Sequence, residues 1–265
     1  ITVGYSANAL GGAGGPLAVL IIAIVASELG KAVSKETRVD ILVTPLVTIF
    51  SGVGLSMLIA APIGAAASQV GTLIMWATEQ APLVMGILVS VIVGVALTLP
   101  ISSAAICAAL GLTGLAGGAA VAGCCAQMIG FAVMSYKENG VGGLVSQGLG
   151  TSMLQMGNIV KNPRIWIAPT LASAITGPLA TCVFHFEMNG AAVSSGMGTC
   201  GLVGQIGVYT GWVSDIAAGT KAAITSMDWA AMVLLCFVLP AVLSVIFCEI
   251  ERKLGWIKEG DLKLN

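Results

Sequence analysis

Charged residues are scarce in this chain. They make up 9% of its 265 residues, whereas 57% of the residues are hydrophobic. Soluble domains carry about 25% charged residues, so the composition excludes an ordinary soluble protein and indicates a protein of the lipid bilayer. The formal net charge is -1. Nucleic-acid-binding proteins need clustered lysine and arginine to neutralise phosphates, and we therefore expect no nucleic-acid partner.

The chain also lacks the usual ligands for a metal ion. It has one histidine, and its seven cysteines form no C-x-x-C pair. Most of these cysteines lie in apolar runs, where a free thiol behaves as a small buried hydrophobe. A lone histidine cannot complete a usual zinc set with them, so we expect no metal and no cofactor.

Enzyme signatures are missing as well. The chain contains no Walker loop and no G-x-S-x-G nucleophile elbow. Residues 196–201 fit the dinucleotide pattern G-x-G-x-x-G formally, but no strand precedes them, and the surrounding sequence is that of a membrane protein. We therefore predict no catalytic residue in this chain.

Long apolar runs divide the chain into candidate membrane spans. A helix needs about 20 apolar residues to cross the hydrocarbon core. Runs of this kind cover residues 41–63, 82–99, 115–136, 165–184 and 230–250. Residues 65–80 have the pattern of an amphipathic helix at the membrane surface, with Trp76 at headgroup depth. The sequence predicts an all-α polytopic membrane protein with about six to eight transmembrane helices.

The positions of lysine and arginine predict the orientation, since short cytoplasmic loops are enriched in both. The loop at residues 31–38 and the tail at residues 251–265 carry such residues, so both are predicted to be cytoplasmic. Five clear spans cannot bring two loops to the same side. We therefore expect the weakly apolar piece at residues 141–160 to cross the membrane too.

Two further segments are too broken to be simple spans. Residues 100–114 and 190–207 each follow a spanning helix, contain a Ser-Ser pair and end in glycine-rich sequence. Paired interrupted segments indicate the solute site of a transporter near the bilayer midplane. We predict two re-entrant hairpins that enter from opposite faces. The alternative is that serine and glycine merely allow tight helix packing.

His185 and Glu187 begin the second broken region. An imidazole and a carboxylate can hydrogen-bond a polyhydroxy solute or relay a proton. Residues two positions apart do not share a helical face, so a concerted pair requires non-helical backbone here. The alternative is that both side chains face water at the membrane interface.

The predicted solute contacts combine these residues with the polar side chains of the two hairpins. They are Ser102, Ser103, Glu187, Asn189, Ser194, Ser195 and Thr199, with His185 and Gln205 as secondary candidates.

At these residues the sequence resembles the membrane component IIC of the bacterial phosphoenolpyruvate-dependent sugar phosphotransferase system, in particular its stand-alone IIC-like proteins. The resemblance covers roughly residues 41 to 265. Its motifs are Pro-Ile-Ser-Ser at 100–103, Gly-Leu-Thr-Gly at 111–114, Asn-Pro at 162–163, Ser-Gly-Met-Gly at 195–198 and the tail from 254 to 263.

The resemblance implies a single IIC-like transmembrane domain over residues 1–265, with further helices before residue 1 in the family. It implies a homodimer in the bacterial inner membrane that moves a sugar or sugar-like solute, with residues 251–265 as a cytoplasmic tail. Phosphoryl transfer would be done by a separate cytosolic IIB protein, charged by IIA and HPr. The family has no fixed His-x-Glu at residues 185–187, so the role of these two residues follows from chemistry alone.

Two other functions fit the same residues. One is a proton- or ion-coupled carrier of a small organic solute, with Glu187 carrying the proton. The other is a membrane sensor or regulator that binds a solute without moving it.

Overall fold

The computed structural model describes residues 15–35 and 39–264, and in these residues its regular structure is helical, with turns and loops between helices and one isolated β-bridge. The α-helices are α1 (Gly15–Val33), α2 (Asp40–Gln80), α3 (Pro82–Thr98), α4 (Ser103–Leu110), α5 (Gly114–Met134), α6 (Tyr136–Val145), α7 (Met156–Lys161), α8 (Ile167–Pro178), α9 (Val203–Ala217), α10 (Ser226–Val233) and α11 (Leu239–Lys253). Turns of π-helix lie at Ser146–Gly150, Leu179–Val183 and Leu234–Val238. Turns of 3₁₀-helix lie at Ser152–Gln155, Pro163–Trp166, Ala192–Gly196 and Cys200–Leu202.

The described residues form two compact units. The first comprises the described residues up to Thr72 together with Ala108–Leu110. The second comprises Leu73–Cys107 and the residues from Gly111 onward. The second unit contains the candidate site.

In the first unit, Ala18 and Ile22 of α1 pack against Ala60 of α2. The predicted boundary between a span at residues 41–63 and a second helix at residues 65–80 is wrong, because α2 runs without a break from Asp40 to Gln80. The location of residues 65–80 at the membrane surface stays a prediction. Pro62 and Gly64 suggest a boundary near residue 63, but neither ends the helix, and the alanine-rich sequence that follows favours continued helix. At 1.5 Å per residue its 41 residues reach about 60 Å, which exceeds the hydrocarbon core of about 30 Å.

The centre of the second unit is α5, which packs against α3, α8 and α11. Its small residues let neighbouring backbones approach closely, as expected for membrane helices. A Cβ on Gly123 would collide with the carbonyl oxygen of Ser90 in α3, and one on Gly94 would lie 2.7 Å from the carbonyl oxygen of Gly123. The α3–α5 crossing therefore requires glycine on both helices.

A buried polar network crosses the same bundle. Gln127 of α5 is fully buried. Its Oε1 accepts hydrogen bonds from the indole Nε1 of Trp166 at 3.0 Å and from the hydroxyl of Thr98 at 3.3 Å. Its Nε2 donates to Thr170 at 3.2 Å. Buried polar groups are costly unless paired, and these contacts fix the relative positions of α3, α5 and α8.

Four helical stretches in the described part of the chain are long and apolar enough to cross a membrane, when helical elements that follow one another directly are counted as one stretch. They are Asp40–Gln80, Gly114–Met134, Pro163–Val183 and Ser226–Lys253, and Pro82–Thr98 is a shorter apolar helix. The all-α polytopic architecture is confirmed. The piece at residues 141–160 is divided among several short helical elements, none of which spans alone, so its membrane crossing stays a prediction.

We expect Gly123→Ala to lower the thermal unfolding temperature of the detergent-solubilised protein. The added methyl group overpacks the α3–α5 crossing, which costs about 1–3 kcal/mol. The matched control is Gly157→Ala in α7, where a Cβ meets nothing within 4 Å. An equal or smaller loss in Gly123→Ala than in this control would contradict the packing described here.

Candidate functional site

The backbone from Phe186 to Asn189 is not helical, and one antiparallel bridge at Met188 holds it in an extended pairing with Gly114. The amide of Met188 donates to the carbonyl oxygen of Gly114 at 3.0 Å, and the amide of Gly114 donates back to Met188 at 3.0 Å. In extended backbone, alternate side chains point to opposite sides. Met188 is fully buried, whereas Glu187 is exposed and Asn189 is partly exposed. The bridge therefore places Glu187 and Asn189 together on the outer side, and the non-helical backbone that such a pairing requires is present.

Asn189 connects this segment to α9. Its Nδ2 donates to Oε2 of Glu187 at 3.1 Å and to Oδ2 of Asp215 at 2.9 Å. One amide group thus holds two carboxylates close together. The segment can approach α9 this closely because residues 190 and 211 are glycines without a side chain. A Cβ on Gly190 would collide with the carbonyl oxygen of Gly207, and one on Gly211 would lie 2.8 Å from the amide nitrogen of Asn189.

A cation lies on the other side of the same cleft. Nζ of Lys221 pairs with Oδ1 of Asp228 at 2.8 Å, and both side chains are largely shielded from solvent. The ammonium group lies 5.7 Å from the ring centroid of Trp212, which is within cation–π range. Asp228 also accepts from the amide and hydroxyl of Thr225 and so completes the capping box of α10. Asp228 is therefore held in place from two sides.

These groups line a cleft of about 500 Å³, a size typical of sites for small molecules. The lining is Phe184, His185, Phe186, Glu187, Asn189, Trp212, Asp215, Thr220, Lys221, Met227, Asp228 and Ala231. His185 is exposed and has a positive φ of 44°. Non-glycine residues in this conformation are uncommon and concentrate at functional sites.

The two broken segments contact each other next to this cleft. The hydroxyl of Ser103 donates to the carbonyl oxygen of Gly196 at 2.6 Å, and the hydroxyl of Ser195 donates to the carbonyl oxygen of Leu112 at 2.7 Å. Both serines are buried. Their hydroxyl protons satisfy backbone carbonyls that the interrupted helices leave free, so each serine has only lone pairs left for a solute.

The nine predicted contacts thus fall into two groups. His185, Glu187 and Asn189 line the cleft, and the other six lie outside its lining. Of these, Ser102 caps α4 by accepting from the amide of Ala105 at 3.1 Å. Ser194 is buried, and the buried hydroxyl of Thr199 donates to the carbonyl oxygen of Gly148 at 2.5 Å.

Gln205 of α9 has a distinct environment. Its Nε2 donates to the sulfur of Cys125 at 3.3 Å, while its buried Oε1 makes no hydrogen bond with the described residues. A buried acceptor without a partner costs free energy, so this oxygen is available to a donor. No group of three or more possible metal ligands occurs in the part of the chain that the structure describes.

Asp215, Lys221 and Asp228 are cleft residues that the sequence analysis did not select. All three fall within 14 residues of a chain in which only 9% of residues are charged. Ionisable residues amid apolar sequence are functional candidates by default, and that signal was sufficient to find them. The contact between Asp215 and Asn189 could not be predicted from the sequence, because it depends on how the non-helical segment packs against α9.

Fold and cleft together define a polytopic α-helical membrane protein with a polar site beside two broken segments. The family model described as "Phosphotransferase system, EIIC" matches residues 1–264. The chain therefore belongs to the EIIC family, the permease components of the phosphotransferase system. The match also includes the first 40 residues, which the resemblance noted from the motifs did not cover. No curated protein and no solved structure matches the chain significantly.

We expect Asn189→Asp to destabilise the protein more at pH 8 than at pH 5. The substitution replaces a shared donor by a third carboxylate beside Glu187 and Asp215, and crowded carboxylates raise one another's pKa. Protonation relieves the repulsion, so stability is retained at low pH and lost as the pH rises. The measurement is the unfolding temperature at both pH values relative to wild type.

The control for this pH dependence is Asn189→Ala, which removes the amide without adding charge. Its deficit relative to wild type should vary less with pH than that of Asn189→Asp. The same pH dependence in both variants would argue against a carboxylate cluster held by Asn189.

Proposed function

We propose that this chain is the membrane permease component of a phosphotransferase system and moves a sugar or sugar-like solute across the bacterial inner membrane. The observation that carries the proposal is the cleft in which Asn189 holds Glu187 and Asp215 beside Lys221 and Asp228. Carboxylates accept, and amide and ammonium groups donate, several hydrogen bonds each. Such a set is suited to a neutral solute with many hydroxyl groups.

The aromatic side of the cleft supports the same class of solute. Trp212 lines the cleft and packs edge-on against Trp229, with ring centroids 5.6 Å apart. Trp212 is buried and Lys221 lies over its ring, so it forms a rigid apolar wall that meets the edge of a sugar ring while the hydroxyls meet the charged groups. Glu187, Asn189 and Asp215 are the proposed primary contacts, with His185 at the edge.

The polar residues of the two broken segments have a different proposed role. Ser103, Ser195 and Thr199 donate to backbone carbonyls, so they contact a solute only through hydroxyl lone pairs, or through donors released when the segments move. Ser102, Ser194 and Gln205 are proposed contacts of a solute in transit between the two segments. The free Oε1 of Gln205 is the best acceptor of this group.

Membership of the family supports a proposal for the coupling. We propose that uptake is driven by phosphorylation of the sugar on a separate cytosolic IIB protein, charged by IIA and HPr. The chain then acts as one domain, works as a homodimer in contact with lipid, and has its C-terminal tail on the cytoplasmic side, where the phosphocarriers are.

The first experiment is a thermal-shift screen of sugars on the purified protein, followed by binding of the best sugar to Glu187→Gln. A hydrogen bond to a charged group contributes about 1.5–3 kcal/mol, so we expect the affinity of this variant to fall about ten- to hundredfold. Glu79→Gln, in an exposed position outside the cleft, is the control and should bind as wild type. Unchanged binding by Glu187→Gln would remove Glu187 from the site.

Uptake into proteoliposomes separates the three candidate functions. A phosphotransferase permease takes up labelled sugar only with phosphorylated IIB inside and releases it as sugar phosphate. A proton-coupled carrier takes it up under a pH gradient without IIB, and Glu187→Gln abolishes that gradient dependence. A sensor binds the sugar without uptake. Either of the latter two results would overturn the proposed coupling.

A further inference from the structure

The C-terminal segment packs against the rest of the second unit. After α11 ends, Ile257 and Leu262 are both buried, in a cluster that includes Phe131 of α5 and Ile165. The amide of Gly260 faces Oε1 of Glu138 at 3.4 Å, and the same oxygen accepts from Arg252 at 3.1 Å. Burial of two large apolar side chains stabilises this docking substantially.

Side-chain amides hold the backbone of this segment. Nδ2 of Asn139 and Nε2 of Gln155 both donate to the carbonyl oxygen of Leu262, at 2.8 and 2.9 Å. Asn158 donates to the carbonyl oxygen of Lys263 at 2.9 Å. The amide of Leu264 donates to Oδ1 of Asn139 at 2.7 Å. These three side chains all come from the broken stretch between α5 and α8.

The hydrogen bonds continue inward from Gln155. Its Nε2 also donates to Oε1 of Gln147 at 2.9 Å, and Nε2 of Gln147 donates to the hydroxyl of Ser135 at 2.7 Å. Gln147 belongs to the π-helical turn Ser146–Gly150. The next residue, Gly148, accepts the hydroxyl of Thr199. A contiguous set of contacts therefore joins the C-terminal segment to the second broken segment.

The members of this set are deeply buried. Ser135, Gln147, Gln155 and Thr199 each expose 0% of their surface. A buried donor or acceptor that loses its partner bears the full cost of its desolvation, and networks of such groups act cooperatively. Undocking the C-terminal segment would therefore leave Gln155 short of an acceptor and loosen the turn that accepts from Thr199.

Thr199 lies four residues before the first residue of α9. The turn Cys200–Leu202 follows it, α9 begins at Val203, and the amide of Gly204 donates back to the carbonyl oxygen of Gly198 at 2.9 Å. The same helix carries Trp212 and Asp215 into the cleft. The position of Thr199 thus sets where α9 starts and where its cleft residues lie.

We propose that the C-terminal segment, residues 257–264, is a positioning element for the solute site, acting through Gln155, Gln147 and the turn Ser146–Gly150 on Thr199 and the start of α9. The inference rests on the proposed function of the cleft. It makes Gln155 a positioning residue outside the cleft, and it makes docking of the segment a condition for high solute affinity.

The first test measures hydrogen exchange in the full-length protein with Gln155→Met, which keeps the side-chain length but removes the hydrogen bonds. We expect amides of residues 197–206 to exchange at least about tenfold faster than in wild type, because their local opening becomes easier. Amides of α3 and α5 should keep their rates. Lys137→Met, which breaks the exposed ion pair with Glu249, is the control and should exchange as wild type at residues 197–206.

The second test uses reciprocity, since a coupling between two sites acts equally in both directions. Thr199→Val removes the donated hydroxyl and should speed exchange at residues 260–264, whereas Thr199→Ser retains the hydroxyl and should not. The double variant Gln155→Met/Thr199→Val should lower the unfolding temperature by less than the sum of the single shifts. Additive shifts, as found for independent sites, or unaltered exchange at residues 260–264 would overturn the proposed coupling.

The third test measures affinity for the sugar selected by thermal shift. We expect Gln155→Met to weaken binding about five- to tenfold, the lower end of the usual range for couplings between sites, and Lys137→Met to leave it unchanged. Faster exchange with unchanged affinity would overturn the positioning role. The exchange tests need no solute, so the coupling is decided even if the wild-type chain binds no sugar, a result that would count against the proposed function instead.

Discussion

The structure depends on one short antiparallel bridge between two interrupted helices. Met188 and Gly114 exchange both of their backbone hydrogen bonds. Within a membrane, backbone groups released from a helix must find partners in the protein, and this bridge satisfies four such groups at once. It also fixes the direction of the neighbouring side chains, so that Met188 enters the core while Glu187 and Asn189 face the cleft.

Glycine and serine around the bridge have a common physical role. Gly118 of α5 leaves room for the carbonyl group of Phe186, and Gly196 leaves room for that of Ser103. The serine hydroxyls then meet the carbonyls that no helix satisfies. From the sequence alone, close packing and solute binding are alternative roles for these residues. In the structure, packing accounts for the hydroxyl protons of Ser103 and Ser195, and the open polar surface belongs to the adjacent cleft.

Features that depend on neighbouring residues in the sequence could be predicted, whereas contacts between residues far apart in the sequence could not. Apolar runs predicted the all-α membrane architecture, and the Ser-Ser and glycine-rich segments predicted where helices break, because both signals are local. The continuous α2 was missed because prolines and polar residues suggested a boundary near residue 63, although the helix continues through it. The grouping of Glu187 with Asp215 is a contact across 28 residues of chain, and no local pattern encodes it.

The central claim is that the broken segments meet in order to present a polar cleft to a solute. An experimental structure of the chain with its selected sugar bound tests this claim most directly. The account predicts ring density against Trp212, with sugar hydroxyls within hydrogen-bond distance of Glu187, Asn189 or Asp215. Density for the sugar away from residues 185–189, with this cleft unchanged and filled only by water, would contradict it.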